Sequence, residues 1–536
     1  MAVNPSIQLG TSGNWAIKED NLLAYKQLGN KFFDREFDFS RGTRATFVGR
    51  NGLIQESGLT DTELVTNGDF ATDSDWVKGD GWTISGGTAN QDGSNGIISQ
   101  PNVAPLNTKF KVTFDLTNYN GNGGLNIKLA PTQYNVTLNG NGTYNIFTDG
   151  TNTLNDSLQI ISVNGFVGSI TNVSVKEIQV DVPRIDFTDD TTGHLLLEPQ
   201  STNLLSYSED FNNNYWSRNA NVTTTNSLEL APNGRLDAQI VKYDGTGYSF
   251  IRRSLSPVPS TAATLSVFAK KGNWRYLGFR IFSTQGSSHT TFDFDTETFV
   301  NIHSAQTASF ETFSNGWYRI KVDQPSPELN NLVGFALSDS SGSELNTTGG
   351  QVANVHLFGA QLEESSYATS YIPTSGSIST RNQELCNNSG TVNDFNSEEG
   401  VLYAEIAALA NDLTFRDISL SDGTLNNRVE LRFRNNSNEI QVVVRAIDGA
   451  YSVAFGSNAY TITNFNKIAF SYKANDFNLW INGVKVATDN SGVTPIGLSE
   501  LAFDNGTSNN FFYGKTKNLK VFNYALTDEE LQTLTT

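Results

Sequence analysis

Three acidic side chains alternate along the segment Asp293-Phe-Asp-Thr-Glu297. Two carboxyl groups about 5–9 Å apart are sufficient to cleave a glycosidic bond by acid–base chemistry. Alternation along a strand would place Asp293, Asp295 and Glu297 on one face. The same residues also fit a strand that ends in a polar turn before Thr298. The turn is the favoured interpretation, and the segment is therefore not predicted to be catalytic.

Other residue types with reactive chemistry do not form a constellation in the sequence. The histidines lie far apart and show no metal-ligand spacing such as His-x-x-x-His. No Gly-x-Ser-x-Gly motif is present, and Cys386 has no evident base near it in the sequence. The sequence therefore predicts a protein that is not an enzyme. The histidines are His194, His289, His303 and His356.

Aromatic residues near turns suggest a binding function. A flat ring can pack against the C–H face of a sugar while polar neighbours bind its hydroxyl groups. Packing in a hydrophobic core is the alternative for each ring. The turn Lys271-Gly-Asn273 precedes one of them and favours its exposure. The candidate carbohydrate-binding residues are Trp82, Trp274, Tyr276 and Trp317.

The charge of the chain argues against a nucleic-acid partner. The 36 Lys and Arg residues against 55 Asp and Glu residues give a net charge of −19. Such a chain repels phosphate backbones. The N-terminal residues Met1–Pro5 show no signal-peptide pattern, and no run approaches the ~20 apolar residues that span a bilayer. We therefore predict synthesis in a cytoplasm without a signal peptide, and no membrane insertion.

Short alternating runs separated by Asn-Gly, Asp-Gly and Gly-Gly dominate the chain. Phe110–Leu116, Ile440–Arg445 and Phe477–Gly483 are examples. Such runs are typical of strands joined by tight turns. The sequence predicts an all-β chain of tandem antiparallel β-sandwich (jelly-roll) domains with a short mixed N-terminal leader.

Helices are predicted in two places only. The segment Asp20–Leu28 would form one or two helical turns. Thr527 and Glu530 have the spacing of a capping box, which predicts a short C-terminal helix. The irregular segment Asn4–Leu28 is expected to become ordered only when it docks on a partner.

Four domains follow from the spacing of strands and turns. A leader at 1–61 is completed by 181–199, and a first sandwich at 62–180 is inserted between these two parts. A second sandwich occupies 200–382, and a third occupies 383–536. The first two open alike, with an acidic residue before Phe and a Trp soon after, which indicates an internal repeat.

Several segments resemble bacteriophage structural proteins. The stretches Leu195–Phe211 and Gly359–Thr374 resemble paired motifs that bracket a carbohydrate-binding-module-like jelly roll in head and tail fibre or appendage proteins. Phe39–Ile54 is similar to a segment that in this family runs almost directly into one like Val182–Phe187. Here about 120 residues separate the two. The resemblance implies that residues 37–56 lie beside residues 182–198.

The first and third sandwiches carry further resemblances. The opening Glu63–Phe70, with its Asn-Gly-Asp-Phe sequence, is similar to carbohydrate-binding modules. The segments Leu420–Gly423, Leu479–Gly483 and Gly514–Tyr524 resemble concanavalin-like or laminin-G-like domains. Modules of the first kind often hold a structural Ca²⁺, although no cofactor is required. The resemblance implies calcium ligands at Asn67, Asp69 and Asn172, and Asn172 stands where such modules often have Asp.

The resemblance implies a bacteriophage virion surface protein. Such a protein would display glycan-binding sandwiches for adsorption to a host or another surface, and would attach to other virion proteins through its leader. A homo-oligomer is expected, with a trimer favoured, because repeated weak sites then gain avidity. A purely structural decoration protein is the alternative. A polysaccharide-degrading enzyme with accessory modules is less favoured.

Overall fold

The computed structural model describes residues 4–13, 15–18, 21–28, 31–129, 132–136, 138, 140–148, 156–259, 261–281, 289–303, 306–325, 331–343, 345–348, 352–446 and 448–536. The chain is 50% strand and 3% helix, and its sheets are antiparallel sandwiches. The predicted all-β fold class is confirmed. No helix of the described part is long and apolar enough to cross a bilayer. The chain divides into two compact units, Glu56–Val180 and the remainder.

The leader is built from strands. Residue 20 of the predicted Asp20–Leu28 helix lies outside the described residues, and 21–28 form a strand. The helix prediction was wrong, because pairing with the next strand overrides local propensity. The segment from Phe37 to Val48 contains two short strands. The leader strands are β1 Ile7–Leu9, β2 Ala16–Lys18, β3 Asn21–Leu28, β4 Lys31–Glu36, β5 Asp38–Ser40, β6 Thr46–Val48 and β7 Ile54–Glu56.

The unit Glu56–Val180 is one sandwich of two five-stranded sheets. Alternating apolar residues of both sheets meet in its core, in which Phe110 and Phe114 are fully buried. The sheet orders are β15-β12-β17-β10-β9 and β14-β13-β16-β11-β8. The strands are β8 Val77–Lys78, β9 Trp82–Ser85, β10 Thr88–Asp92, β11 Ile97–Gln100, β12 Lys109–Thr117, β13 Gly124–Leu129, β14 Thr132–Val136, β15 Gly142–Phe147, β16 Leu158–Val163 and β17 Val167–Ile178.

The middle of the chain forms a second sandwich of two six-stranded sheets. Their orders are β21-β25-β32-β27-β28-β29 and β22-β23-β34-β26-β31-β30. The strands of these two sheets are β21 Ser217–Arg218, β22 Val222–Asn226, β23 Gln239–Tyr243, β25 Phe250–Ser254, β26 Ala263–Lys271, β27 Tyr276–Ile281, β28 Thr290–Asp293, β29 Thr298–Asn301, β30 Thr307–Phe313, β31 Trp317–Gln324, β32 Leu332–Leu337 and β34 Ala353–Glu363. The short strands β24 Thr246–Tyr248 and β33 Asn346–Thr348 pair with each other, and β20 Ser201–Asn203 pairs with residues 379–381. Strands β18 Arg184–Asp186 and β19 His194–Leu197 pair with each other and belong to the large C-terminal sheet.

The C-terminal domain packs a five-stranded sheet, β41-β40-β39-β38-β45, against a larger one. Helix α1 begins after Thr527 with the predicted capping box, which is confirmed. The elements are β35 Ser379–Arg381, β36 Leu385–Asn387, β37 Glu399–Ala408, β38 Arg416–Ser421, β39 Arg428–Phe433, β40 Ile440–Ala446, β41 Ala450–Ser457, β42 Asn466–Lys473, β43 Asp476–Ile481, β44 Val484–Asp489, β45 Glu500–Ala502, β46 Gly514–Phe522 and α1 Asp528–Thr535.

The leader completes the larger C-terminal sheet. Strand β1 pairs with β46, and β19 pairs with β46 further along, so that the sheet has 11 strands. Ile7 and Leu9 are 0% exposed in the C-terminal core. The expectation that Asn4–Leu28 becomes ordered only on docking is therefore wrong for its first strand. Burial of two aliphatic side chains and main-chain pairing hold this strand in place.

Five charged side chains form a buried arginine–glutamate network, which consists of Arg41, Arg184, Arg381, Glu198 and Glu384. Arg184 donates from Nε to Glu384 Oε1 (2.9 Å) and from Nη2 to Glu198 Oε2 (2.9 Å). Arg41 Nη1 lies 2.8 Å from Glu384 Oε1, and Arg381 Nη1 lies 2.8 Å from Glu198 Oε2. All five are at most 3% exposed. The network joins the leader residues Arg41, Arg184 and Glu198 to Arg381 and Glu384, which follow the middle sandwich.

Two of the phage-like segments meet beside this network. Val48 N donates to Asp186 Oδ2 (2.8 Å), and Phe187 N donates to Val48 O (2.9 Å). Ser370 donates from its backbone N and its Oγ to the carboxylate of Glu198. The hydrogen bonds place residues 46–48 directly beside residues 184–187.

Candidate functional site

Two of the predicted carbohydrate-binding residues, Trp82 and Trp317, lie in hydrophobic cores. Trp82 is 4% exposed inside the Glu56–Val180 sandwich, and Trp317 is 1% exposed against Phe268 and Tyr371. Trp317 Nε1 donates to Leu230 O (2.9 Å). Each ring begins a strand whose alternation points it inward. Neither has a face open to a sugar, which contradicts the predicted role.

The other two candidates lie at the edge of the middle sandwich. Trp274 is half-buried and donates from Nε1 to Ser338 O (2.8 Å). Tyr276 is also half-buried, with the Arg275 guanidinium 5.2 Å from its ring centroid. Each ring keeps some exposed surface. A binding role for Trp274 and Tyr276 stays a prediction.

The acidic segment that follows β28 is tied to basic neighbours. Arg275 binds both carboxylate oxygens of Asp293 at 2.7 Å, and Lys271 pairs with Asp295. Burial raises the pKa of Asp293, but the hydrogen bond from Arg275 outweighs it and lowers the value to about 2. Glu297 has φ 52° in the turn that follows. A strand ending in a turn explains this geometry.

The segments that carry the calcium candidates lie side by side, because Val173 N donates to Gly68 O (2.9 Å) and Thr171 Oγ1 donates to Asp69 O (3.4 Å). The amide of Asn67 exchanges hydrogen bonds with the backbone of Thr72, whereas Asn172 Nδ2 donates to Asp115 Oδ2 (2.7 Å). Both asparagines have φ 52°, a left-handed conformation that Asn tolerates. Among the described residues, the side chain of Asp69 forms no hydrogen bond with the side chain of Asn67 or of Asn172. The described residues contain no group of three His, Cys, Asp or Glu side chains able to hold a metal, and calcium binding at Asn67, Asp69 and Asn172 stays a prediction.

The outer face of the five-stranded C-terminal sheet carries polar residues in cross-strand rows. Its other face is apolar and forms the core, with Leu420, Val429 and Val444 fully buried. Residues directly opposite each other in antiparallel strands share a face. We call the outer face of β38, β39, β40, β41 and β45 the polar face. Its first row is Glu500, Ser421, Arg428, Arg445 and Tyr451.

Two further rows complete the polar face. The second places Glu430 on β39 between small or apolar neighbours, and the third places Arg432 beside an amide and a carboxyl group. Both rows follow from the register of the strands. The second row is Ala502, Ser419, Glu430, Val443 and Ala454, and the third is Asp417, Arg432, Gln441 and Gly456.

Three arginines surround one glutamate at the centre of the polar face. Glu430 Oε1 lies 2.8 Å from Arg428 Nε, and Oε2 lies 3.7 Å from Arg432 Nη1 and 4.0 Å from Arg445 Nε. Glu430 is 0% exposed. Arg432 also donates from Nε to Gln441 Oε1 (2.8 Å). The arginines are therefore held in fixed orientations.

Tyr451 is the exposed end of the first row. The Arg445 guanidinium carbon lies 3.9 Å from the Tyr451 ring centroid, a cation–π contact. Arg445 Nη1 donates to Gly449 O (2.9 Å), which fixes the guanidinium under the ring. The Tyr451 side chain nevertheless remains 56% exposed. It is an ordered aromatic surface beside a cationic group.

Three apolar side chains are exposed on loops near this end of the first row. Leu425, Val493 and Ile496 are 47%, 46% and 71% exposed. Val493 exchanges hydrogen bonds with the hydroxyl of Ser452 on β41, next to the ring. Ile496 N donates to Asn427 Oδ1 (3.2 Å), in the loop that holds Leu425. The Tyr451 ring, the Arg445 guanidinium group and these exposed apolar side chains therefore lie on neighbouring segments.

Sequence reasoning missed this site, although a signal was present. In Arg428-Val-Glu-Leu-Arg-Phe433, charged residues alternate with apolar ones, which indicates a strand with a charged outer face. The run Ile440–Arg445 was recognised only as a strand. The cross-strand register that brings Arg428, Arg445 and Tyr451 together was not available from either run.

The C-terminal domain has a recognisable family resemblance. Residues 402–532 match the Laminin_G_3 family model, described as the concanavalin A-like lectin/glucanases superfamily. The resemblance predicted for the third sandwich is thereby confirmed. No curated protein matches the chain in sequence.

Solved structures share parts of the architecture. The CBM40 module of the Ruminococcus gnavus IT-sialidase, bound to alpha2,3 sialyllactose, is 18% identical, with 28% of this chain and 94% of that chain covered (TM-score 0.25). The CBM22-1–CBM22-2 tandem of Paenibacillus barcinonensis Xyn10C is 10% identical, with 57% and 98% covered (TM-score 0.19). The LG1-3 region of the laminin alpha2 chain is 9% identical, with 81% and 96% covered (TM-score 0.15).

Proposed function

We propose that this chain is a non-enzymatic glycan-binding protein whose C-terminal domain binds sugars beside Tyr451. The observation that carries the proposal is the first row of the polar face, which ends in an exposed ring held by Arg445. A pyranose ring stacks on such an aromatic surface while guanidinium and amide groups bind its hydroxyls. The match of residues 402–532 to a concanavalin A-like lectin superfamily supports this assignment.

We further propose that the protein is a bacteriophage virion surface component, a head or tail fibre or appendage. The phage-like motifs support this role, and four of these segments contribute Arg41, Arg184, Glu198 and Ser370 to the buried network or its immediate contacts. Other virion proteins would bind the leader, and a homotrimer would multiply weak glycan sites. A structural decoration protein without a ligand is the alternative.

The substitution Tyr451→Ala tests the glycan-binding proposal. We expect about a tenfold or larger loss of affinity, because truncating an anchoring aromatic residue removes most of its contact area. The measurement is a glycan array with the full-length protein, run with calcium and with EDTA, followed by titration of the glycan that binds. Tyr524→Ala removes another partly exposed tyrosine of the same domain and serves as the matched control.

The outcomes separate the two functions. Loss of binding in Tyr451→Ala with retention in Tyr524→Ala supports the site. Equal binding by both variants and the unmodified protein rejects it. If the folded, full-length protein binds no glycan in either buffer, the glycan-binding proposal fails and the structural decoration role is favoured.

A further inference from the structure

The polar face concentrates positive charge in a chain whose net charge is −19. Arg428 on β39 and Arg445 on β40 stand directly opposite each other. Like charges in a directly opposed cross-strand pair are destabilising. Arg432 adds a third guanidinium on the same face. These three guanidinium groups therefore need nearby negative charge to offset their mutual repulsion.

The protein supplies only part of that negative charge. Glu430 is the one carboxylate within 4.0 Å of these arginines in the described residues. Burial raises the pKa of Asp417 to about 7, which weakens the negative charge of this carboxyl group at neutral pH. The outer loops contribute Asp422, whose carboxylate accepts from Thr424 and Asn427, and an exposed Asp448.

Two arginines also retain unused donors. Arg428 is 4% exposed, and its Nη1 has no hydrogen-bond partner. Arg445 Nε likewise has none, and its nearest carboxylate oxygen is 4.0 Å away. These two donor atoms are themselves buried, but the Arg445 side chain as a whole remains 21% exposed and is the guanidinium group that a ligand acceptor can reach. Guanidinium groups pair well with carboxylates because two parallel hydrogen bonds form.

We propose that the polar face binds acidic glycans, with the carboxylate of a sugar acid received by the partly exposed Arg445, the buried Arg428 adding positive charge behind it, and the sugar ring packed on Tyr451. This inference rests on the proposed glycan-binding function and names its ligand class. Leu425, Val493 and Ile496 are exposed on loops near this end of the sheet and offer apolar surface to the sugar. Arg445 links both parts of the contact, because its guanidinium group touches the Tyr451 ring and it lies directly opposite Arg428 on the neighbouring strand.

The test compares an acidic oligosaccharide with its neutral form. Oligogalacturonate and its methyl ester share the same sugar backbone and differ in whether the carboxyl groups are charged or methyl-esterified, and both are titrated against the full-length protein. We expect the acidic form to bind at least about tenfold more tightly, with affinity falling as salt rises. Arg445→Gln should lose about tenfold or more for the acid and little for the ester, and Arg445→Lys should restore part of the loss.

Lys473→Gln is the control, because it removes one exposed positive charge from the opposite sheet of the same domain. It should change affinity for the acid by less than about twofold. Equal binding of acid and ester overturns the acidic preference while leaving glycan binding intact. Acid binding that survives Arg445→Gln overturns the assignment to this face. Failure of every glycan on the array overturns the proposed function itself.

Discussion

Replacing Glu384 with glutamine is expected to lower the free energy of unfolding by about 3–5 kcal/mol. Glu384 accepts hydrogen bonds from Arg41 and Arg184 and is 1% exposed. Burial raises the pKa of Glu384, but the charges of Arg184 and Arg41 outweigh it and hold the pKa below its usual value. Removing this charge leaves three buried guanidinium groups with the single carboxylate of Glu198.

Calorimetry of the full-length chain, with hydrogen exchange of peptides covering 182–198 and 369–384, measures this loss. Glu399→Gln is the matched control, because Glu399 forms a partly exposed pair with Lys473 (2.9 Å) and such pairs contribute at most about 1 kcal/mol. If the two variants are equally stable, the network is not a main source of stability.

The network shows why fold class was predictable and these contacts were not. Alternation within Phe110–Leu116, Ile440–Arg445 and Phe477–Gly483 correctly indicated strands, because the period of a strand is local. The pair Arg41–Glu384 joins residues 343 positions apart. No local pattern encodes such a partner. Motif resemblance highlighted the segment around Arg41 without revealing its charge partner.

The leader illustrates the same limit. Ser6–Leu9 is too short to be recognised as a strand by its own pattern. Its pairing partner on β46 is more than 500 residues away, with Ser6 Oγ donating to Val521 O at 3.0 Å. Pairing of this kind is set by tertiary structure. The segment was therefore interpreted as irregular, although it is buried.

The candidate site depended on register in the same way. Exposure of Trp274 was anticipated from the turn before it, and the structure leaves it half-buried. Trp82 and Trp317 were chosen by residue type alone, and their strands point them inward. Tyr451 lies beside Arg445 only because a bulge shifts the pairing of β40 and β41.

Replacing Asp417 with asparagine is expected to stabilise the C-terminal domain at pH 8 but not near pH 4. Asp417 is 0% exposed; burial raises its pKa to about 7, and the charge of Glu430 adds to this. In the unfolded chain the carboxyl group has its ordinary pKa of 3.8 and loses its proton near that pH. Between these values the folded state holds the extra proton, so stability falls as pH rises and stays reduced above pH 7.

Asparagine removes this penalty, because its amide stays neutral and its oxygen still accepts from Asn510 Nδ2, which lies 3.1 Å from Asp417 Oδ2. The expected gain at pH 8 is up to about 4 kcal/mol at about 1.4 kcal/mol per pKa unit. Urea unfolding read by pulsed hydrogen exchange of peptides from 416–433 measures it at pH 4.5, 6 and 8. Asp476→Asn, at an exposed position on β43, should show no such pH-dependent gain. A gain of the same size at pH 4.5 and pH 8 would mean that packing, rather than the buried charge, limits stability at this position.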